Sequence, residues 1–196
     1  MIRLALLDDH PVVIAGLTRL VQHTRGMEVL AAARDEVTLA RELGGRRPDV
    51  LILDYDVARG DALALCRRIK SRPDALRVLI YSAYAGPALA IAARAAQADG
   101  LVDKTAPATA LLDAIRRIAH GQSVIPDVAH EELVEAVARL DEPELPILAM
   151  LLDGEPLPAI AETLNTDENE IDWRAEKLIG RLRPRFTETN GRSRSS

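Results

Sequence analysis

The 196-residue sequence predicts a doubly wound α/β fold, a five-stranded parallel sheet with helices between its strands, followed by a second, smaller all-α unit. Three observations carry that expectation. Between Met1 and His120, short β-like runs alternate with Ala/Leu-rich stretches of helical spacing, in five repeated units. After Gly121-Gln122-Ser123-Val124-Ile125-Pro126-Asp127 no further strand signal follows, while helical periodicity continues. Polar groups stand directly behind the hydrophobic runs, in Leu7-Asp8-Asp9-His10, Leu53-Asp54-Tyr55, Tyr81-Ser82-Ala83 and Val102-Asp103-Lys104. The carboxyl ends of strands in an open parallel sheet meet at one crevice, so these groups are expected to share a site.

The elements follow in order. Strands are expected at Ile2 to Leu7, Met27 to Ala32, Val50 to Leu53, Arg77 to Tyr81 and Gly100 to Val102, as short apolar runs bounded by polar residues or turn formers. Helices fill the intervals, near Val12 to His23, Val37 to Leu43, Ala62 to Lys70, Pro87 to Ala96 and Pro107 to His120. Pro87 and Pro107 mark helix starts, because the first turn tolerates a residue without an N–H. The pattern divides the chain into a first domain over 1–120, a linker over 121–130, a helical domain over 131–185 and a disordered tail over 186–196. Helical runs in the second part lie at Glu131 to Leu140, Ile147 to Leu152, Ala159 to Leu164 and Glu168 to Leu182. In the last, Ile171, Ala175, Leu178 and Leu182 recur on one face and predict its buried side.

Composition narrows the class. A single cysteine, Cys66, excludes an intramolecular disulfide, and charged residues interrupt every long apolar stretch, so a cytoplasmic protein with no membrane partner is expected. The net charge of -5 argues against a chain that works by clamping nucleic-acid phosphates. Cys66 on its helix reads as a small core residue, and His10 as a partner of its loop.

The polar groups spell phosphoryl transfer. Asp54 is the expected nucleophile, and Asp8 and Asp9 supply the negative charge that recruits Mg2+. Lys104 can neutralise a phosphoryl oxygen and Ser82 can donate to another. In this order and spacing, with Ala98-Asp99-Gly100 before the last strand, residues 1 to about 120 resemble the receiver domain of two-component response regulators, a flavodoxin-like fold. The resemblance implies phosphorylation of Asp54 by a sensor histidine kinase, Mg2+ as cofactor held by Asp8, Asp9, Asp54 and the backbone carbonyl of Asp56, and no catalysis beyond the domain's own phosphotransfer and dephosphorylation. Two departures stand out. Val57-Ala58-Arg59-Gly60 replaces the family's Met-Pro-Gly type of loop, and Leu101 occupies the position, three before Lys104, where the family uses a Tyr or Phe switch. Asp56 and Tyr84 fall at the positions that tune phosphoryl lifetime.

A rival reading takes Asp54-Tyr55-Asp56 as the start of a haloacid-dehalogenase-type, Asp-nucleophile phosphatase. It is second best, because that family places the motif after the first strand and follows its lysine with further acidic ligands, whereas Lys104 precedes Thr105-Ala106-Pro107.

Leu140 to about Arg183 resembles the LuxR-type helix-turn-helix output of the NarL/FixJ regulators. Leu140, Glu144, Ile147, Leu148, Gly154, Ile160, Ala161, Leu164, Ile171 and Leu182 fit its core, Asn165-Thr166-Asp167 its turn, and Glu168 to Leu182 its recognition helix. The resemblance implies transcription control, with Arg174, Lys177, Arg181 and Arg183 as DNA contacts and a homodimer as a further partner to consider. The surface argues otherwise. Between Leu140 and Gly180 the chain has eleven acidic and two basic side chains, Arg174 and Lys177, so phosphate attraction is weak. The alternative output is a protein-binding module anchored on Trp173. Pro146 should delay or bend the first helix of this unit, Pro158 stands near the start of the next, and Pro184 breaks the run, while Arg181, Arg183, Arg185, Arg192 and Arg194 form a basic end.

Overall fold

The computed structural model describes residues 1–57, 61–72 and 76–183. Five parallel strands, β1 (Ile2–Leu7), β2 (Met27–Ala33), β3 (Val50–Asp54), β4 (Arg77–Ser82) and β5 (Gly100–Asp103), pair in the order β2-β1-β3-β4-β5. The five expected strands are all present. The central β3, Val50-Leu51-Ile52-Leu53-Asp54, is buried throughout, as a strand covered on both faces must be. The strand order reverses between β1 and β3, which opens the crevice at their carboxyl ends.

Helices α1 (Pro11–Gln22) and α5 (Ala108–Ala119) cover one face of the sheet, where Leu17, Val21, Leu111, Ile115 and Ile118 pack with Leu4, Leu6, Ile52 and Leu79. Gly100 keeps this contact close. A Cβ added at this position would stand 2.5 Å from Ile118 Cδ1 and 2.9 Å from Leu79 Cδ1, so the tips of those two side chains would have to turn aside. On the other face lie α2 (Glu36–Leu43), α3 (Ala62–Lys70) and α4 (Pro87–Ala95). Asp35 and Asp61 cap α2 and α3, their carboxylates accepting from the backbone N–H groups of Thr38 and Leu63. Cys66 of α3 is fully buried, its Sγ 3.5 Å from the carbonyl of Ala96, and burial pushes the thiol up to about 12, which makes it an inert core group.

The chain beyond α5 holds the helices expected of it, all but the last with shifted ends. They are α6 (His130–Val137), a 3-10 turn at Glu142–Glu144, α7 (Leu145–Leu152), α8 (Leu157–Thr163) and α9 (Glu168–Leu182). Pro146 and Pro158 both fall in first turns, so each proline sets where its helix begins, and α6 stops before Leu140. Between α8 and α9, Asn165 takes a left-handed φ of 50°, and Asp167 caps α9 by accepting from Asn169 N–H at 2.8 Å. Arg185, the remainder of the tail, and residues 58 to 60 of the loop after Asp54 lie outside the described residues.

One buried cluster joins the two parts. It runs from Leu7, Leu51 and Ile80 of the sheet through Leu63 and Cys66 of α3 and Leu89 to Ala93 of α4, and into Ile147, Leu151, Ile160, Ile171, Leu178 and Leu182. Helix α4 explains the continuity. Its sequence, Pro-Ala-Leu-Ala-Ile-Ala-Ala-Arg-Ala, is apolar nearly all round, and a helix of that kind needs cover on every side. The sheet covers one side, while α6, α7 and α9 pack on the others. The linker is ordered as well: Val124 N–H donates to Asp99 O at 2.8 Å and Leu101 N–H donates to Val124 O at 3.1 Å, an isolated parallel bridge beside β5.

Candidate phosphoacceptor site

The residues expected to share a site do so. Asp8 and Asp9 follow β1, Asp54 ends β3, Ser82 ends β4 and Lys104 follows β5, all at the carboxyl edge of the sheet around the reversal in strand order. Asp8 and Asp54 are only 3% and 1% exposed, a placement that carboxylates accept only with close cationic or hydrogen-bonding partners. Lys104 provides one. Its Nζ lies 2.8 Å from Asp8 Oδ2 and 2.8 Å from Asp54 Oδ1, bridging the two acids. Burial alone would lower the pKa of this ammonium, but its hydrogen bonds to Asp54 and Asp8 and their charges outweigh that and hold it above the usual lysine range. Lys104 therefore stays charged at neutral pH.

The rest of the shell is positioned by backbone. Lys104 N–H donates to Ser82 O at 2.8 Å, tying the end of β5 to β4, and Asp103 accepts from Thr105 N–H at 2.6 Å, which secures the turn behind the lysine. These Thr105 hydrogen bonds hold the Asp103 carboxyl below its ordinary value. Ser82 is fully buried, and its Oγ accepts from Tyr84 N–H at 3.0 Å, so the hydroxyl proton remains available to a further acceptor. Asp56 N–H donates to Asp54 Oδ1 at 3.3 Å. Burial, then the charge of Asp54, raises the Asp56 carboxyl above its normal range.

The donor set fits a hard divalent cation. Oxygens of Asp8, Asp9 and Asp54, with a ring nitrogen of His10, lie within 4.8 Å of one another. Asp9 Oδ1 and Asp54 Oδ2 are buried without a hydrogen-bond partner. His10 Nδ1 approaches Asp9 Oδ1 to 2.7 Å as a charge contact without a hydrogen bond, and the imidazole is largely exposed. His10 N–H donates to Asp8 Oδ1 at 2.8 Å, so the histidine does hydrogen-bond its loop as the sequence suggests.

The four cationic residues expected to meet DNA are each engaged within the protein. Arg174 pairs with Glu170, one turn back along α9, and Lys177 Nζ stands 5.2 Å above the Trp173 ring. Arg181 bridges Asp141 and Glu144 at 2.8 Å each, and Arg183 turns inward to Asp61, the cap of α3. Sequence reasoning did not single out Arg67, Asp61 or Gln97. Arg67 of α3, 8% exposed, pairs with Asp172 of α9, and Gln97 donates through Nε2 to Glu155 O at 2.9 Å. The apolar composition of α4 was the signal that something would pack beyond it.

The geometry is that of a receiver, and the comparisons agree. The response regulator receiver domain model matches residues 4–116, and the chain belongs to that family. The Asp-nucleophile phosphatase reading is thereby set aside. The chain is similar over most of its length to NarP, the nitrate/nitrite response regulator of Escherichia coli K12, at 27% identity over 92% of this chain and 88% of that one. Response regulator UvrY of the same organism is 24% identical over 93% and 88%. Among solved structures, a LuxR-family two-component response regulator from Aurantimonas sp. SI85-9A1 is 33% identical, with a TM-score of 0.59 over 69% of this chain and 97% of that one. RcsB of Salmonella enterica serovar Typhimurium bound to a promoter, with the phosphomimetic BeF3-, has a TM-score of 0.60 at 24% identity over 92% and 91%, a likeness of fold. No helix among the described residues is long and apolar enough to cross a membrane.

Proposed function

We propose that the protein is a cytoplasmic response regulator in which Asp54 is the phosphoacceptor, with a sensor histidine kinase as donor, a receiver over 1–120 and a helical output unit over 131–185 after a linker. The observation that carries this is Lys104 bridging two buried carboxylates, with one oxygen of Asp54 left without a hydrogen bond. Asp8, Asp9, Asp54 and the backbone carbonyl of Asp56 would hold Mg2+, which when bound supplies positive charge against the entering phosphoryl group. The chain's own residues do the rest. An Asp54 oxygen forms the new O–P bond as the donor's bond to phosphorus breaks and the leaving group takes that electron pair. Lys104 is placed to move from the Asp54 oxygen to a phosphoryl oxygen, and the Ser82 hydroxyl to donate to another. Asp54→Asn removes the nucleophile. With Mg2+ and acetyl phosphate, intact mass should show one added phosphoryl group on the wild type and none on Asp54→Asn. Equal uptake by both, or uptake indifferent to chelation, refutes the assignment.

For the output, transcription control through DNA is the reading supported by regulators such as NarP and by the promoter complex of RcsB, which this chain resembles over both parts. A second reading is favoured by two observations: four acidic residues along α9, and its three cationic residues, with Arg183 after its end, held in internal pairs or over Trp173. In it the helical unit binds a protein, with Trp173, 60% exposed, as the anchor. Fluorescence anisotropy of the phosphorylated full chain on promoter-length duplex at several salt concentrations separates the two.

A further inference from the structure

We propose that Arg183, at the end of α9, senses the phosphorylation of Asp54 through Tyr55 and Asp61, and so takes over the signalling role that Leu101 cannot perform. The proposal rests on Asp54 being the phosphoacceptor. The need for another route is visible around Leu101. That side chain is buried and apolar, and its backbone N–H is committed to Val124 O in the linker bridge, so it has nothing with which to report on Ser82.

Arg183 has what Leu101 lacks. Its guanidinium crosses from the helical unit to Asp61, while its Nε is buried without an acceptor, so the cation is held by only part of its hydrogen-bonding capacity. Tyr55, the residue directly after Asp54, packs against the core that α9 shares, and its backbone N–H donates to Tyr81 O at 3.2 Å. Leu182, the residue before Arg183, is buried in that same cluster, which brings the end of α9 and Tyr55 onto one packed core. At the other end of α9, Arg67 pairs with Asp172. Two ion pairs across the boundary thus fix the helix at both ends, and the one nearer Asp54 is incompletely satisfied.

Phosphorylation replaces the single negative charge of Asp54 by a phosphoryl group carrying about -1.5 to -2 and several acceptor oxygens. The same event disturbs the Asp56 N–H bond to Asp54 Oδ1. An under-satisfied cation at the end of α9, next to the core that Tyr55 shares, is the group there best placed to respond, by shifting between Asp61 and the new negative field. The last turn of α9 then changes its anchorage.

The test uses the full chain with Mg2+ and acetyl phosphate, following uptake by intact mass, amide hydrogen exchange across α9, and emission of Trp173, the sole tryptophan. On phosphorylation of the wild type, exchange in the last turn of α9 should change by about threefold or more. Arg183→Gln and Asp61→Asn should each still accept one phosphoryl group yet lose that change, and Arg183→Lys should retain most of it. Asparagine caps helices as well as aspartate does, so Asp61→Asn spares the start of α3. Leu101→Ala should respond as the wild type does. A phosphorylated Arg183→Gln that shows the full wild-type response refutes the proposal, as does a phosphorylated wild type with unchanged α9. Failure of the wild type to take up phosphoryl at all overturns the Asp54 assignment and this inference with it.

Discussion

Truncating one side chain of α4 tests whether the two parts of the chain share a core. Ile91 is buried on a helix with the sheet on one side and α6, α7 and α9 on the others. Ile91→Ala removes three carbons from this cluster, and covering on all sides leaves little room for collapse, so the cost should fall in the upper part of the ~2–5 kcal/mol range for such truncations. Against a total stability of ~5–15 kcal/mol that is a large fraction. The assay is urea unfolding monitored in parallel by far-ultraviolet circular dichroism, which reports all helices, and by the emission of Trp173 on α9. Both probes should move to lower urea together, with coincident midpoints in wild type and variant. A variant in which the dichroism shifts while the tryptophan transition stays where it was would show that the helical unit unfolds on its own and that the shared cluster is not cooperative.

Other perturbations bear on separate parts of the structure. Gly100→Ala places a methyl against Ile118 and Leu79 and should cost ~1–3 kcal/mol by overpacking, read from thermal unfolding; an unchanged melting temperature would mean the Ile118 and Leu79 side chains turn aside freely. Leu101→Ala should reduce stability but barely alter the monomer–dimer balance on phosphorylation, and a phosphorylation-driven dimer abolished by this variant in sedimentation would restore the family's switch to that position. Wild-type chain should bind random duplex weakly near physiological salt with a shallow salt slope, and Glu170→Thr with Asp172→Lys should tighten it; tight wild-type binding with a steep slope would return the ordinary DNA-binding role to α9. The hydrogen bond from Arg3, assisted by its charge, holds the Asp49 carboxyl below its ordinary value. Its stabilising contribution is therefore present above the unfolded pKa of about 3.9 and is lost as pH falls through the lower folded value. Asp49→Asn should weaken the acid dependence of stability between about pH 4 and pH 2, and an identical acid profile would exclude the pair as a contributor.

The receiver was legible because its chemistry is local to strand ends. Asp8, Asp9, Asp54, Ser82 and Lys104 each follow a run of apolar residues, and parallel topology delivers those ends to one crevice without further information. The strand limits held to within a residue, and α3 and α9 began and ended as expected. Helix limits drifted where no residue marks a stop: α6 ends three residues before Leu140, with neither glycine nor proline at its C-terminus. What the pattern did not yield was the relation between the two parts. Arg67 and Asp172 are 105 residues apart, and each reads alone as a surface charge; only folded geometry shows them as partners. The apolar circumference of α4 did carry the information, but as composition without a direction, so it could announce a neighbour and not name it.

The bridge at Val124 has a further consequence for how the sheet meets other molecules. β5, four residues long, is the last strand on its side, and the edge of such a sheet is a template for pairing with another chain. Here Val124 occupies the start of that template through the Asp99 carbonyl and the Leu101 N–H, so the polypeptide that leads to α6 also covers that part of the edge. A strand from a second molecule would have to peel it away first. The connector between the receiver and the helices is thus a guard against edge-to-edge aggregation, and loosening it, for instance with Val124→Pro, should cost solubility before it costs phosphorylation.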